Sequence, residues 1–448
     1  MKELPRVSRR SVLKAGMVGA AGTALAACGA PRLQRIAIPQ AGPVTVSYGT
    51  PGGAVEDAAW KPVFEAFNAS HKNINAVYKP FGGNYTDAST TKLQTLIAGG
   101  TAPDIFWIPV PIVATYASQH TIVEIDKYVK SNKVDLSQVF PSHLNALRWK
   151  GKLWGLPRDG APQGMYYNAE LFDKAHIPYP TANWTWDDLL SAAKELTHRD
   201  SNGRAVQLGV ARGDWASFLW QAGGDILNKA QNKCVLDAAP AVKAFQFLQD
   251  LVVKHKVAPT NEDVGTTSSN AAGPIIQNMF SAGRIGMWFG VRGSLPQVCQ
   301  GNFAFDVAPT PKEKQHAAVL SVGPTVLWSG SKNKEAAFEL MSFFIGLEGQ
   351  RLKMSNGFAF PCRKDALTQD WFDKYTCGKA KNFDVDNAFA TELDKGWARS
   401  YPVNPKFQQI QTAITAQVDT LYIGQQPARQ ICKTMTEAVN GILGGGAG

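Results

Sequence analysis

Apolar residues along the chain change their spacing, and the changes predict strands that alternate with helices. From residue 44 onward, the first predicted elements are strand 44–48, helix 55–67, strand 74–78, helix 88–98 and strand 102–107. Alternation of this kind is typical of an α/β lobe with a mainly parallel sheet. Ligands bind beyond the carboxyl ends of such strands, so we expect loops 49–53, 81–85 and 107–110 to share one rim.

The segment 151–168 indicates two short strands that flank a bend rich in glycine and proline. Pro157 is expected to end the first strand, because proline has no N–H to donate to a sheet. Arg158 and Asp159 then put two charges into apolar surroundings. The segment by itself is typical of a surface hairpin. Its position between the α/β pattern and a helix-rich region after Asn168 instead predicts a crossing of the chain between two lobes.

The rest of the chain is richer in helices. Thr185 is a suitable N-cap for a helix whose apolar face runs over 186–196. The later predicted elements are helices at 218–222, 241–253 and 275–282, a buried strand at 283–289, strands at 303–308 and 318–327, a helix at 334–345, and two tail helices within 407–442. We expect their apolar stripes to form hydrophobic core.

Length and composition agree with two globular lobes. The 448 residues exceed what one core holds, and 44% are hydrophobic while 18% are charged. The net charge of +10 falls to about +6 without residues 1–27. No basic block interleaved with aromatic residues remains, which argues against a nucleic-acid partner.

The N-terminus is typical of an export signal. Residues 8–14, SRRSVLK, resemble a twin-arginine motif, and the apolar run behind them is too short for a permanent membrane span. It ends in LAACG, which resembles a lipobox with Cys28 as the lipidated residue. The alternative is a plain signal with a chance cysteine. We therefore predict a signal at 1–27 and a tether at 28–43.

Five cysteines follow the lipobox: Cys234, Cys299, Cys362, Cys377 and Cys432. Disulfides are possible outside the cytoplasm, and an odd count leaves at least one thiol free. We expect Cys362 and Cys377, fifteen residues apart, to form a pair. No CxxC spacing suggests a metal site.

Signatures of catalysis are missing from the sequence. There is no HExxH, GxSxG, Walker or GxGxxG motif. A glycosidase needs two carboxylates facing one bond, and nothing local selects a pair from Glu56, Asp57, Asp159 and Asp225. Catalysis therefore has no positive evidence in the sequence, and we expect no enzymatic activity, cofactor or metal.

Aromatic residues stand at predicted strand ends, glycine turns and helix starts, namely Trp60, Tyr85, Trp107, Trp215, Trp220, Trp288 and Trp328. Sugars present apolar C–H faces and rings of hydroxyls, which aromatic rings together with carboxylate, guanidinium and amide groups can match. Each of these aromatic residues is equally compatible with ordinary core packing.

Several segments resemble, in order, the motifs of the family 1 extracellular solute-binding proteins of bacterial ABC importers, which are mostly sugar binders. They are LIAGGTAPDI (96–105), GKLWGLP (151–157) with YYNAELF (166–172), WTWDDL (184–189), FSAGRIGM (280–287) and SKNKEAA (331–337). Each block alone is weak, whereas five in order behind a lipobox are specific. The resemblance runs from about residue 44 to the end of the chain.

The resemblance implies a type II periplasmic-binding-protein-like α/β fold. Each of two lobes would hold a mixed, mainly parallel sheet flanked by helices, with three crossings and a ligand cleft at the hinge. We expect lobe 1 at 44–157 plus 302–347, and lobe 2 at 160–299 plus 350–448.

By position, the resemblance and the predicted rim imply a set of ligand-binding residues: Glu56, Tyr85, Trp107, Arg158, Asp159, Trp215, Trp220, Asp225, Trp288 and Arg363. Asp159 would accept sugar hydroxyls, and Trp288 would be a stacking platform. Arg158 would donate to the sugar or pair with Asp159. Cys362 departs from the usually small or polar residues at its position, which leaves the direction of Arg363 open.

The implied function is that of a monomeric substrate-binding protein of an ABC importer. It would be held outside the cytoplasm on the cell membrane by lipid at Cys28. It would capture a carbohydrate, an oligosaccharide given the number of aromatic residues, and deliver it to the permease. One alternative keeps the fold and binds a phosphorylated polyol such as glycerol 3-phosphate, or ferric iron through Tyr166 and Tyr167. The arginines suggested for the phosphate are Arg158, Arg212, Arg292 and Arg363. The other alternative is a surface-anchored glycosidase.

Overall fold

Two β-sheets organise the protein in a computed structural model, which describes residues 42–82, 87–357, 359–368 and 385–444. The strands are β1 (Val44–Gly49), β2 (Ile74–Tyr78), β3 (Ile105–Trp107), β4 (Arg148–Trp149), β5 (Lys152–Leu153), β6 (Leu156–Pro162), β7 (Gly164–Asn168), β8 (His198–Arg199), β9 (Ala205–Val210), β10 (Ile285–Gly290), β11 (Phe305–Ala308), β12 (Ala318–Leu327) and β13 (Ala398–Arg399).

The helices that cover these sheets follow the apolar stripes of the sequence. They are α1 (Ala54–Ser70), α2 (Asp87–Ala98), α3 (Val110–Ser118), α4 (Asp126–Ser131), α5 (Pro141–Asn145), α6 (Ala169–Ala175), α7 (Trp186–Glu195), α8 (Trp215–Gln221), α9 (Ala239–Val252), α10 (Asn261–Val264), α11 (Ser269–Ser281), α12 (Leu295–Val298), α13 (Lys334–Ile345), α14 (Leu347–Lys353), α15 (Val385–Asp394), α16 (Phe407–Leu421) and α17 (Ala428–Leu443). Short 3-10 turns lie at Arg292–Ser294, Met354–Asn356 and Lys364–Ala366. Among the described residues, none of the helices combines the length and the apolar character that crossing a bilayer requires.

The first sheet has the order β13-β12-β3-β1-β2, and β6 pairs with β12. β1 runs parallel to both β2 and β3, whereas β12 is antiparallel to β3 and β6. The last four residues of β1 are buried, because helices pack on both faces of a parallel core strand. This is the mixed sheet that the alternating sequence pattern predicts.

The second sheet has the order β11-β7-β10-β9-β8. All six residues of β10 are buried, as the continuous apolar run in the sequence predicts. β10 is parallel to β9 and antiparallel to β7. The predicted α/β fold class is therefore confirmed, but the expectation of a mainly parallel second sheet is wrong, because only its β9–β10 pairing is parallel.

The chain passes from the first sheet to the second at Gln163, the single residue between β6 and β7. The Gln163 backbone N–H donates to the carbonyl oxygen of Val319, near the start of β12, at 2.8 Å. Pro157 does not end a strand as predicted, because β6 begins at Leu156 and continues through it. The proline is tolerated there because it faces a register shift, between Gly323 and Pro324 of β12.

β11 lies in the second sheet, where it pairs antiparallel with β7. Residues 302–347 were expected to lie together in lobe 1, and β11 departs from that expectation. The pairing buries Phe305 beside Tyr166, with ring centroids 6.3 Å apart. The next passage between the sheets consequently falls between Ala308 and Ala318.

The cysteines differ from the expected pairing. Cys362 is a buried free thiol whose Sγ lies 3.2 Å from the carbonyl oxygen of Pro157, so the predicted bond to Cys377 is wrong. Cys299 is disulfide-bonded, and its partner lies outside the described residues. The predicted twin-arginine signal, Cys28 and the predicted tether up to residue 41 also lie outside the described residues.

Candidate functional site

A cavity of about 270 Å³ opens where the two sheets meet. One side is formed by Trp107 at the end of β3, by residues 158–161 of β6 and by residues 321–323 of β12. The other contributors are Val291 and Gly293, which follow β10 in the second sheet, together with Ala359 and Phe360. The β6 residues include both charges of the segment 151–168, so the predicted crossing and the cavity coincide.

A buried ion pair adjoins this cavity, and its cation is Arg158. The Arg158 Nη1 is 2.5 Å from the Glu56 Oε1, and their side chains are only 3% and 2% exposed. The same Nη1 donates to the Tyr48 hydroxyl at 2.7 Å. Glu56 also accepts hydrogen bonds from the Thr50 hydroxyl at 2.8 Å and from the Trp60 indole at 3.2 Å. Burying two charges is costly unless they are paired and hydrogen-bonded, and this pair is both.

Asp159 is the carboxylate that reaches the cavity. Its side chain is 14% exposed, and its Oδ2 lies 3.4 Å from the Arg158 Nε. The same oxygen accepts a hydrogen bond from the Lys353 ammonium, which is 1% exposed at the end of α14. Burial lowers the pKa of Lys353, and the Asp159 carboxylate opposes that change. Of the two alternatives for Arg158, pairing is therefore present, with Glu56 as its closest acidic partner.

His143 contacts the backbone of Gly160, one of the residues that line the cavity. It is fully buried in α5, and its Nε2 lies 3.0 Å from the carbonyl oxygen of Gly160. Burial disfavours the charged ring and lowers the pKa of His143 to about 4. A neutral imidazole that donates from Nε2 to this carbonyl fits the contact.

Trp107 is the predicted aromatic residue that lines the cavity, where it is partly exposed. Tyr85, its predicted neighbour on the rim, lies outside the described residues.

Two other predicted aromatic residues are packed in core. Trp288 is 8% exposed and stacks on Phe280, with ring centroids 5.7 Å apart, while Tyr166 packs against it at 5.3 Å. Trp215 is also 8% exposed and stacks on Phe245 at 6.2 Å. Neither tryptophan lines the cavity between the sheets.

Trp220 and Asp225 line a separate cavity of about 490 Å³. The Trp220 indole donates to the Asp225 Oδ1 at 3.3 Å, and the Asp225 Oδ2 lies 2.9 Å from the Arg399 Nη2. The Arg399 guanidinium also stands 4.7 Å from the centroid of the Trp220 ring. The structure thus separates these two predicted residues from Trp107 and Asp159.

Arg363 is engaged elsewhere. Its Nε and Nη2 donate to the two oxygens of Asp365 at 2.9 and 2.7 Å. The hydrogen bond to this carboxylate raises the pKa of Arg363. The sequence had left open where the Arg363 side chain points. It is directed to Asp365 and does not line the cavity between the sheets.

Sequence reasoning missed Lys353, Gly323 and Phe360. Lys353 ends a short helix and has the local pattern of a solvated lysine. Gly323 lies within β12. It matters for the site only because it pairs opposite Asp159. Neither local signal reveals these positions, because the partners are distant in sequence.

The pattern of the bacterial extracellular solute-binding protein family matches residues 52–351, well over half of the chain. The chain belongs to this family. A Brucella abortus protein named as a binding protein is 25% identical, with 86% of this chain and 89% of that protein covered. The arabinooligosaccharide-binding protein of Halalkalibacterium halodurans is 26% identical over 37% of this chain and 36% of that protein.

A solved structure has a similar fold. The ABC substrate-binding protein from Listeria monocytogenes, in complex with cycloalternan, superposes with a TM-score of 0.76 at 24% identity. The match covers 90% of this chain and 99% of the Listeria chain. Family membership implies that the chain works outside the cytoplasm and that its relatives are binding proteins.

Proposed function

We propose that the chain is the receptor of an ABC importer and captures a carbohydrate, an oligosaccharide, in the cavity between its two sheets. The observation that carries the proposal is that Trp107 and Asp159 line the same cavity. An aromatic face suits the C–H surface of a sugar ring, and a carboxylate accepts its hydroxyls. The sugar ligands named for the Halalkalibacterium and Listeria proteins support the same class.

A phosphorylated polyol is less well supported, because the arginines suggested for it have protein partners. Arg212 donates to the Pro259 carbonyl and to Asn261 at 2.7 and 2.8 Å. Arg292 donates to the Gly357 carbonyl at 2.6 Å. Arg158 and Arg363 are paired with carboxylates.

Ferric iron is also less well supported. Tyr166 is fully buried, and its hydroxyl donates to the carbonyl oxygen of Val291 at 3.1 Å. Tyr167 is 3% exposed and packs on Phe172 at 5.3 Å. Adjacent residues of a strand point to opposite faces of a sheet, so these two hydroxyls are not directed to one metal ion.

The glycosidase alternative lacks a second carboxylate lining the cavity among the four suggested from the sequence. Glu56 is enclosed beneath Arg158, and Asp225 lies at the separate cavity. Asp57 accepts a hydrogen bond from the Tyr78 hydroxyl at 2.8 Å and does not line the cavity between the sheets. Only Asp159 of the four suggested carboxylates lines it.

The two sheets would belong to two lobes that close over the ligand, the hinge motion of periplasmic binding proteins as a class. Crossings at Gln163 and between Ala308 and Ala318 revise the lobe boundaries proposed from sequence. Lipid at Cys28 and the tether 28–43 would hold the monomer beside its permease. This raises the effective concentration of the receptor at the permease.

A thermal-shift screen tests this function. The protein of residues 44–448 is heated with mono- and oligosaccharides, with glycerol 3-phosphate and with ferric citrate. A ligand at one hundred times its Kd stabilises the folded state by about 2.7 kcal/mol, which raises Tm by a few degrees. We expect an oligosaccharide to raise Tm. A shift confined to glycerol 3-phosphate or iron would contradict the carbohydrate proposal, and release of smaller sugars would favour the glycosidase.

A further inference from the structure

A buried ammonium group contacts Asp159, which lines the cavity between the sheets. Lys353 is 1% exposed, and its Nζ contacts the Asp159 Oδ2 and stands 4.8 Å from the centroid of the Trp60 ring. Lysine is almost never fully buried unless it is paired. Its position therefore depends on Asp159 and on the acidic groups around it.

Four charged groups meet here, and they balance. Arg158 and Lys353 face Glu56 and Asp159, which makes the formal charge of the group zero. Three of these side chains are 3% exposed or less, whereas Asp159 is 14% exposed. Asp159 is thus the most exposed charged side chain of the network, and Arg158 lines the cavity beside it.

The two oxygens of Asp159 have different surroundings. Oδ2 receives the Lys353 ammonium and faces the Arg158 Nε. Oδ1 has no hydrogen bond to any described residue and lies beside Gly323 of the cavity wall. One oxygen is held by the protein, and the other can accept a hydrogen bond from a ligand.

Gly323 provides the space that this arrangement needs. A Cβ at this position would lie 2.1 Å from the Asp159 Oδ1 and 2.9 Å from the Arg158 Nε. Real atoms do not approach so closely, so a side chain at position 323 would displace the carboxylate. Lys353 and Gly323 therefore constrain Asp159 from two sides.

We propose that Lys353 and Gly323 are positioning residues that fix the Asp159 carboxylate as an acceptor and so select neutral ligands with hydroxyl donors. The inference rests on the proposed carbohydrate function and assigns specificity within it. The ammonium holds one carboxylate oxygen by a hydrogen bond, and the glycine leaves the other oxygen in reach of the cavity. A phosphate or carboxylate ligand would meet this oxygen as a like charge and be disfavoured.

The first variant is Lys353→Met, which keeps the length of the side chain and removes its charge. The sugar that gives the largest thermal shift is titrated into wild-type and variant proteins at pH 7. We expect the variant to bind at least tenfold more weakly. A merely structural role would change Tm and leave the sugar affinity of the folded variant as in the wild type.

The second variant, Gly323→Ala, displaces Asp159 from the opposite side and keeps the ammonium. We expect a similar loss of affinity, so the test remains available if Lys353→Met does not fold. Lys433→Met is the control for removing a lysine, since that side chain is 64% exposed. Gly273→Ala is the control for adding a methyl group, since its Cβ would meet nothing within 4 Å.

Both controls should bind like the wild type. The inference is overturned if folded Lys353→Met and Gly323→Ala each bind the sugar within twofold of the wild-type affinity. Binding of glycerol 3-phosphate by the wild type in preference to sugars would also overturn it. If the wild type binds no carbohydrate, the proposed function fails, and this inference fails with it.

Discussion

At the scale of single residues, the tryptophans differ in role although their local sequences look alike. Trp107 and Trp288 each stand in a short strand or at its end. Trp107 ends at the cavity, whereas Trp288 is enclosed by Tyr166 and Phe280. The difference depends on which elements pack over each ring, and local patterns carry no information about that.

Trp107→Ala tests the aromatic wall of the cavity. We expect the variant to bind the sugar about five- to 150-fold more weakly, a loss of about 1–3 kcal/mol, because a stacking surface is removed. Calorimetric titration measures the change. Trp149→Ala is a matched control, since Trp149 is partly exposed and does not line this cavity. Equal affinity of wild type and Trp107→Ala would exclude Trp107 from the site.

Trp288→Ala separates the packing role from the predicted stacking role. From the sequence, Trp288 is a sugar platform, so its removal should weaken binding. From the structure, we expect a loss of about 3–5 kcal/mol in the free energy of unfolding, because a large core side chain is deleted. Urea unfolding measures it. Normal stability together with lost sugar affinity would return Trp288 to the ligand site.

The charged residues show how far a sequence can indicate a site. Arg158 and Asp159 are neighbours in the chain. They could be predicted as site candidates because they follow a short apolar segment. Their partners are Glu56, 102 residues before Arg158, and Lys353, 194 residues after Asp159. Such contacts arise only from the fold, so the buried network could not be predicted from local spacing.

At the scale of elements, local signals predicted several helices but not every boundary, since α11 begins at Ser269, six residues before the predicted start at 275. Thr185 caps α7, and its side chain and that of Asp188 form a capping box. The bounds of β12 and α13 agree with the predicted segments. The pairing partners of the strands were harder to predict than the elements themselves. β11 joins the second sheet because it pairs with β7, a strand that is distant in the sequence.

α15 carries a buried carboxyl that should make stability depend on pH. Glu392 is fully buried, and its Oε1 accepts hydrogen bonds from the N–H and hydroxyl of Thr310 at 2.7 and 2.9 Å. Its Oε2 has no hydrogen-bond partner among the described residues. Burial raises the pKa of Glu392 from 4.5 to about 7. Thr310 lies in the segment that joins β11 to β12.

The unfolded chain releases this proton at a lower pH than the folded protein does. The free energy of unfolding should therefore fall as pH rises from about 4.5 to about 7, and this contribution should be constant above that range. Glu392→Gln mimics the protonated carboxyl and should be more stable than wild type at pH 8, by on the order of 3 kcal/mol. At pH 5 the two proteins should differ little.

Urea unfolding at both pH values checks this prediction. Glu65→Gln is the control, because the Glu65 side chain is 66% exposed. A stability difference between Glu392→Gln and wild type that does not change with pH would contradict it.

At the scale of the whole molecule, the order of the strands creates the site. β6 belongs to the first sheet and β7 to the second, so the chain between them brings the two sheets together beside the cavity. Motif order predicted this two-sheet architecture. The positions of the crossings were not predictable, because single residues such as Gln163 separate strands that pair with different distant partners.

The central claim is that one carbohydrate binds in the cavity between the sheets. Calorimetric titration of the protein of residues 44–448 with the oligosaccharide that gives the largest thermal shift tests it most directly. We predict saturable binding of one sugar per chain, which Asp159→Asn weakens at least tenfold while the variant keeps its fold. Binding that Asp159→Asn leaves unchanged, or no heat with any carbohydrate, would contradict the account.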